Sequence, residues 1–273
     1  MKNLLKAIYG KIVYILILKN HINYSKTILI NFLTLPFKQA IKLPIIIYGP
    51  CKLASVSGSI ILNCPVQHGI IKIGKSDPPR SYSSQSYIAV YGKLEFQGKS
   101  IIRRGSSIHI NKTGHLLIGK NVTIGCNVSI RCEEKIVIGE ATSIGNNSIF
   151  MDTDFHYTIN TLSREIKKNT APIEIGKNNW MGSWCTIKKG AKTPKGTIIA
   201  GPFSMIGKDY TNKIPEYSII AGSPAKLIVE NIRRINNINS EYLVKEKLKN
   251  SNNYILPEEY DIEAFCTPQE FIL

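Results

Sequence analysis

The chain has 273 residues, enough to bury a substantial core, and 43% of them are hydrophobic, too few for a multi-span membrane protein. A net charge of +16 points to an anionic partner, although Ile, Lys and Asn are abundant throughout, as a biased codon pool would give. No recognised nucleic-acid motif accompanies the charge, so nucleic acid is not the expected partner.

The distribution of charge says more than its total. Residues 1–76 contain ten lysines and no Asp or Glu, whereas the segment after Ser251 carries Glu258, Glu259, Asp261, Glu263 and Glu270. Such asymmetry suggests a basic N-terminal surface facing something anionic. The six cysteines show no C-x-x-C pair and no metal-ligand spacing; they read as reduced, mostly buried thiols of a cytoplasmic protein, and no metal is expected. The apolar stretch Ile12–Leu18 is too short for a spanning helix and lacks a signal-peptide cleavage site.

In chain order, residues 2–20 place Leu4, Leu5, Ile8, Ile12, Ile15 and Leu16 at near-helical spacing, and a second helix is expected over about 24–33, before Pro36. Two readings stay open for this basic segment, 1–44. It is either a helical cap packed on the scaffold or an amphipathic surface lying on an anionic membrane leaflet, at the inner face. From about Pro44 short strands are expected at 45–48, 59–62, 70–73, 86–91, 93–96 and 108–110, with a loop over 76–86.

A strict step of six then sets in. Ile118, Ile124, Ile130 and Ile136 form one run, Ile138, Ile144 and Phe150 a second, and Ile175, Met181, Ile187, Thr193, Ile199 and Met205 a third. Six is neither a helical period nor simple alternation, so each unit reads as a short strand and a turn. A unit alone cannot bury its apolar face, so units must stack around a narrow continuous core. Small or compact residues at the fifth place (Val122, Val128, Ser148, Cys185, Ala191) fit that core. Glycine at the second place (Gly119, Gly125, Gly139, Gly145, Gly176, Gly182) fits a corner needing either unusual dihedrals or tight room. The rhythm breaks once, after Met151-Asp-Thr-Asp-Phe-His156, for a polar insertion of about 155–171. An insertion of that length in a compact repeat is either functional or disordered. Beyond Ile228 the repeat ends; a short helix is expected over 241–248 and an extended tail over 250–273.

These segments, with Asn179-Trp-Met-Gly182 and the ending Ile214-Pro-Glu-Tyr-Ser-Ile-Ile-Ala-Gly-Ser-Pro-Ala-Lys226, resemble the hexapeptide-repeat acyltransferases. The likeness is strong over about 90–228 and greatest to the sugar O-acetyltransferases of bacterial surface-polysaccharide clusters. The resemblance implies an all-β, left-handed parallel β-helix over 45–230, flanked by the N-terminal helical segment and by a C-terminal helix and tail over 231–273. The left hand comes from the resemblance alone, since general topology favours right-handed crossovers. A homotrimer is implied too, with the inserted loop reaching a neighbouring subunit.

Acyl transfer to a hydroxyl needs a base that titrates near neutrality, which makes His156 the first candidate. Asp154, two residues before it, shares its face in an extended segment and can hold its tautomer; the plainer reading of Asp152 and Asp154 is that they cap backbone N–H groups. Asp152 and Asn147 are candidates for binding the acceptor sugar or polysaccharide. The donor implied is acetyl-coenzyme A. Trp180 is carried over as a donor-side residue, with backbone near Gly182, Ser183, Ala200 and Gly201 along the pantetheine arm, and Lys208 and Lys226 at the phosphates, Arg233 and Arg234 lying just beyond. Backbone N–H groups at Gly182 or Ser183 are expected to stabilise the oxyanion. Two rivals remain: N-acetylation of an amino-sugar, and a non-catalytic β-helix used for assembly or binding. A zinc hydratase is rejected, because no histidine follows His156.

Overall fold

The computed structural model describes residues 21–76 and 84–267. The helix expected over 2–20, the middle of the 76–86 loop and the end of the tail lie outside them. Three units of six should close one coil, and they do: Trp180 pairs in parallel with Ile198, eighteen residues on. The described strands fall into sheets of nine, seven and six, and each coil contributes one strand to each in turn. The result is an all-β, three-sided parallel β-helix that begins at Ile45, ahead of the strict sixes. Among the described strands only the last, Lys226–Val229, runs antiparallel to its neighbour, Ile219–Ala221.

The six-residue ladder points inward. All three runs are buried up to Ile199. The expected final rung, Met205, is corrected to Ile206, because Thr186 pairs with Met205 nineteen residues on and one extra residue shifts the phase. The polar rung is accommodated: Thr193 Oγ1 donates to Asn179 Oδ1 (2.8 Å) and accepts from Gly176 N (3.2 Å), while Asn179 Nδ2 donates to Pro194 O (2.8 Å). A buried hydroxyl costs little once paired in this way.

The second-place glycines answer to tight room. A Cβ on Gly145 would lie 2.4 Å from the Gly182 carbonyl carbon in the next coil, and one on Gly182 would lie 2.5 Å from Gly201 N. The left-handed backbone comes two residues later, at Asn121, Asn127, Asn147 and Asn178, and also at Ala141, Trp184 and Phe203. Asparagine is the non-glycine residue that tolerates this region best.

Both ends of the stack need closure, because a terminal strand presents unpaired N–H and C=O groups. At the first end, helix α1 (Tyr24–Thr34) lies on strand Ile45–Ile47. Its Asn31 Nδ2 donates to Ile45 O (2.7 Å), Ile45 N donates to Asn31 Oδ1 (3.1 Å), and Ile47 N donates to Thr27 Oγ1 (3.0 Å). Side chains of a helix thus supply the missing strand. A second short helix, α2 (Phe37–Ala40), follows Pro36.

At the far end α3 (Ile238–Lys247) is capped by Asn237. The segment read as an extended tail contains a further helix, α4 (Ile262–Cys266), capped by Asp261 and anchored by a hydrogen-bonded ion pair between Arg233 and Glu263. A five-residue helix carries too little periodicity to be visible in sequence. No helix among the described residues is long and apolar enough to cross a membrane.

Asn31→Leu keeps the branched shape of the side chain but strands the buried Ile45 amide and carbonyl. It is expected to cost about 2–4 kcal/mol in a denaturant titration, and an unchanged midpoint would refute the capping role.

Candidate active site

The longest connection among the described residues leaves the β-helix at the corner between the second and third sheets. Asp152 builds that corner. Its side chain is fully buried, and its carboxylate accepts from Glu133 N (2.7 Å), Glu134 N (2.8 Å) and Lys135 N (2.8 Å) in the preceding coil. Both oxygens are therefore committed to backbone, the capping alternative of the sequence reading, and none faces an acceptor. The adjacent Cys132 thiol is pushed up, first by burial and then by the Asp152 charge.

The insertion is not structureless. Thr153 bridges Thr170 and Ile159 bridges Ile166, both antiparallel. Asp154 N donates to Asn169 O (2.8 Å), and at the tip Asn160 Oδ1 accepts from Leu162 N and Ser163 N. Residues 153–170 thus form a two-stranded arm, starting two residues before the expected break. Its apolar side chains face outward: Tyr157, Ile159, Leu162 and Ile166 are all exposed, Leu162 at 94%.

His156 stands at the root of this arm. Phe155 has φ 62°, and His156 N donates to Asp154 O (2.7 Å), closing a three-residue γ-turn that fixes the direction in which the imidazole leaves the chain. The imidazole is exposed, and no described residue hydrogen-bonds it. Asp154 does not orient it through its carboxylate, which pairs with Lys189 Nζ (2.6 Å). Lys189 also donates to Lys168 O (3.1 Å), and Lys168 pairs with Glu134 (2.9 Å), so coils on both sides hold the root of the arm.

Beside the root, the outer face of the second sheet carries residues that sequence reasoning passed over. The Arg131 guanidinium lies 5.7 Å from the Phe155 ring centroid. His109 is the register partner of Arg131, and burial, then the Arg131 charge, lowers its pKa. Tyr87, Ser107 and Ser129 complete an open, polar groove. A period-two pattern marks these positions as outward-facing, but nothing in sequence says that the arm begins next to them. His115, also a face residue, is held by Glu95 (3.0 Å).

The expected donor-side residues lie elsewhere. Trp180 projects from the first sheet, 42% exposed, with the Arg234 guanidinium 5.0 Å from its ring centroid. Arg233 is committed within the chain, to Glu263 and to the Tyr217 ring at 3.6 Å. Gly182 N donates to Ile199 O (2.8 Å), which removes that N–H as an oxyanion donor. Ser183 Oγ accepts from Asn146 N (3.1 Å). Ala200 is also spoken for, its N–H donating to Ile220 O (2.9 Å) and its carbonyl accepting from Ser204 Oγ. Gly201 sits against the Ser183 carbonyl, where a Cβ would approach to 2.4 Å. Asn147 shares this corner and accepts from Asn127 Nδ2 (3.3 Å). Two exposed aromatics at the same corner, Trp184 and Phe203, meet at a tilt with 6.4 Å between ring centroids; both occupy turn positions taken by Asn in earlier coils. Lys208 Nζ lies 5.2 Å from the Tyr210 ring centroid, and Lys226 is exposed on the final strand.

In a three-sided prism the corner between the second and third sheets lies opposite the first sheet. The fold therefore gathers Asp152, Asp154, His156 and Lys189 on one side and Trp180 on the other. Asn147, Ser183 and Gly201 stack at the corner where the first sheet meets the second. A single chain does not bring His156 and Trp180 together.

Strict sixes in sequence, realised as eighteen-residue coils, decide the class. The chain is built from six-residue repeats, three to a coil. No family model matches it, and no curated protein sequence does. Among solved structures this hexapeptide-repeat chain is similar to the polysialic-acid-specific acetyltransferase NeuO, at 21% identity over 78% of this chain and 91% of that one, with TM-score 0.43. It is similar at 20% identity to the polysialic acid O-acetyltransferase OatWY, covering 74% and 97%, with TM-score 0.43. A third similar structure is AntD, an N-acyltransferase from Bacillus cereus solved with dTDP and 3-hydroxybutyryl-CoA, at 17% identity over 75% and 89%, with TM-score 0.37.

The buried carboxylate and the buried thiols each give a test. Asp152→Ala releases three backbone donors and is expected to destabilise the fold by about 3 kcal/mol or more; a neutral effect in thermal unfolding would show that the carboxylate does not hold the turn. Burial raises the thiols of Cys51 and Cys185 to about 11, so neither is a ready nucleophile. Iodoacetamide at pH 8 should modify the half-buried Cys64 and Cys266 first, and rapid loss of Cys185 in mass spectrometry would contradict this.

Proposed function

We propose that the protein is an acetyl-coenzyme A-dependent O-acetyltransferase acting on a sugar hydroxyl of a surface polysaccharide or its precursor, with His156 as general base. The observation that carries this reading is the display of His156. A buried anchor, a γ-turn and two ion pairs hold the root of the arm on which an uncommitted imidazole faces outward. An unengaged base held on a rigid root is what proton abstraction from an incoming hydroxyl requires.

In this reaction His156 takes the proton of the sugar hydroxyl as its oxygen attacks the thioester carbonyl. The imidazolium then protonates the departing thiolate of coenzyme A, so no covalent enzyme intermediate forms. Asp154 acts as a positioning residue: its carbonyl closes the γ-turn, and its carboxylate is tied to Lys189. Asp152 holds the corner and is not assigned to the acceptor. With the Gly182 N–H spent, Ser183 N–H is the remaining oxyanion donor of the two expected. Trp180 covers the donor, Ser183, Ala200 and Gly201 flank the pantetheine arm by surface contact, and Lys208 and Lys226 meet its phosphates. Asn147 remains the acceptor-side candidate at this corner.

Because His156 and Trp180 lie on opposite sides of one β-helix, the complete site is assigned to the junction of two copies in a homotrimer. The exposed apolar residues of the arm supply the surface that reaches the neighbour.

Thiol release from acetyl-coenzyme A, measured with a panel of sugars, polysialic acid and amino-sugar nucleotides, tests the reaction. His156→Ala is expected to lower kcat by about 10²–10⁴-fold. Equal turnover by both proteins sinks the assignment of His156, and transfer confined to an amine moves the reading to N-acylation. Neither turnover nor coenzyme A binding would leave a non-catalytic β-helix. Subunit mixing tests the shared site: His156→Ala and Trp180→Ala proteins, each impaired alone, should recover activity when unfolded and refolded together. No recovery would place both residues in a site within one chain.

A further inference from the structure

Helix α1 uses one face to close the β-helix, through Thr27, Ile30 and Asn31. A surface helix ordinarily turns a polar face to water on its other side. Here that side is apolar: Ile28, Phe32 and Leu33 are 52%, 45% and 61% exposed. The apolar surface continues into α2, where Phe37 and the following Ile41 are 71% and 55% exposed. An edge-to-face contact of Phe32 with Phe37, 6.1 Å between centroids, joins the two parts into one patch. Water-facing patches of this kind mark contact surfaces.

Charge identifies the occupant. The patch lies in a segment, 1–76, with ten lysines and no carboxylate side chain. Lys26 and Lys38 stand within the two helices themselves, and Lys42 follows directly. A second copy docking face to face would bring like charges together at the rim, with no acidic group in the segment to offset them. The patch is the outer face of two helices, with Asn31 and Thr27 turned away into the fold. It offers apolar side chains and cations and asks for no specific hydrogen-bond geometry. An anionic lipid leaflet matches both demands, because its acyl boundary takes up apolar side chains while its headgroups attract lysine.

We propose that the outward face of α1 and α2 is a membrane-contact surface that seats the N-terminal end of the β-helix on an anionic lipid leaflet. Phe32, Phe37 and Ile28 insert at the acyl boundary, and Lys26, Lys38 and Lys42 lie among the headgroups. This surface is distinct from the proposed catalytic groups and does not depend on the reaction assigned to them.

The experiment is co-sedimentation of the full-length protein with vesicles of phosphatidylcholine alone or with 30% phosphatidylglycerol, at about 50 and 500 mM salt, a range over which screening removes most surface attraction. Wild type should pellet with the anionic vesicles only, and less at high salt. The double variant Phe32→Glu, Phe37→Glu should partition at least about tenfold less, since both rings lose their apolar burial. Both positions are exposed, so folding should be intact, and an unchanged thermal transition checks it. A second variant, Lys26→Glu with Lys38→Glu and Lys42→Glu, should abolish the salt-sensitive part of binding.

No pelleting of wild type with anionic vesicles overturns the proposal. Pelleting that survives the double Phe variant also overturns it, because binding then belongs to another part of the chain. So does a wild-type assembly that the double variant dissociates in sedimentation velocity while lipid binding is absent, since the face then joins two copies of the chain.

Discussion

Every coil of this protein depends on its neighbours for hydrogen bonds. A side of a coil is only two to five residues long, and its N–H and C=O groups find partners solely in the coils before and after. No part can be stable alone, and the stack must be closed wherever it stops. That constraint accounts for the helix that imitates a strand at Ile45 and for the reversed strand at the far end. It also accounts for the glycines, whose places are set by how closely one turn lies on the next.

The same constraint limits where polar groups can enter. Thr193 and Asn179 replace an apolar rung only because they bond to each other and to nearby backbone. Asp152 brings a charge into the wall of the prism and spends it entirely on three amides. Rigidity at that corner passes to the groups beside it, so that His156 projects from a fixed root while its ring stays unbound. The scaffold thus combines a committed carboxylate with an uncommitted base four residues later.

Much of this was legible in the sequence. The ladder from Ile118 to Ile199 named the inward residues, and the interruption at Met151–His156 located the arm. The slip at Met205 was hidden, since one added residue in a turn changes the phase without disturbing the visible step. The arm was read as loop because bridges at two residue pairs leave no periodicity. Capping was open to both Asp152 and Asp154 on paper; only three-dimensional proximity to the amides at 133–135 and to Lys189 separates an anchor from an ion pair. That His156 and Trp180 face opposite ways follows from counting sheets, which requires knowing that each unit of six makes one side. The outward apolar face of α1 was obscured for a different reason: polar Thr27 and Asn31 lie on its buried side, so hydrophobic phase alone picks the wrong face.

The arm has one further implication. It enters and leaves through adjacent residues, Thr153 and Thr170, so whatever lies between them adds no length to the path of the coil. Ser143 still pairs with Trp180 in register, although thirty-seven residues separate them. The corner therefore works as a socket. Segments of different length and composition can be exchanged there during evolution while the pitch of the scaffold stays constant, so the surface that the arm presents can diversify without renegotiating the fold.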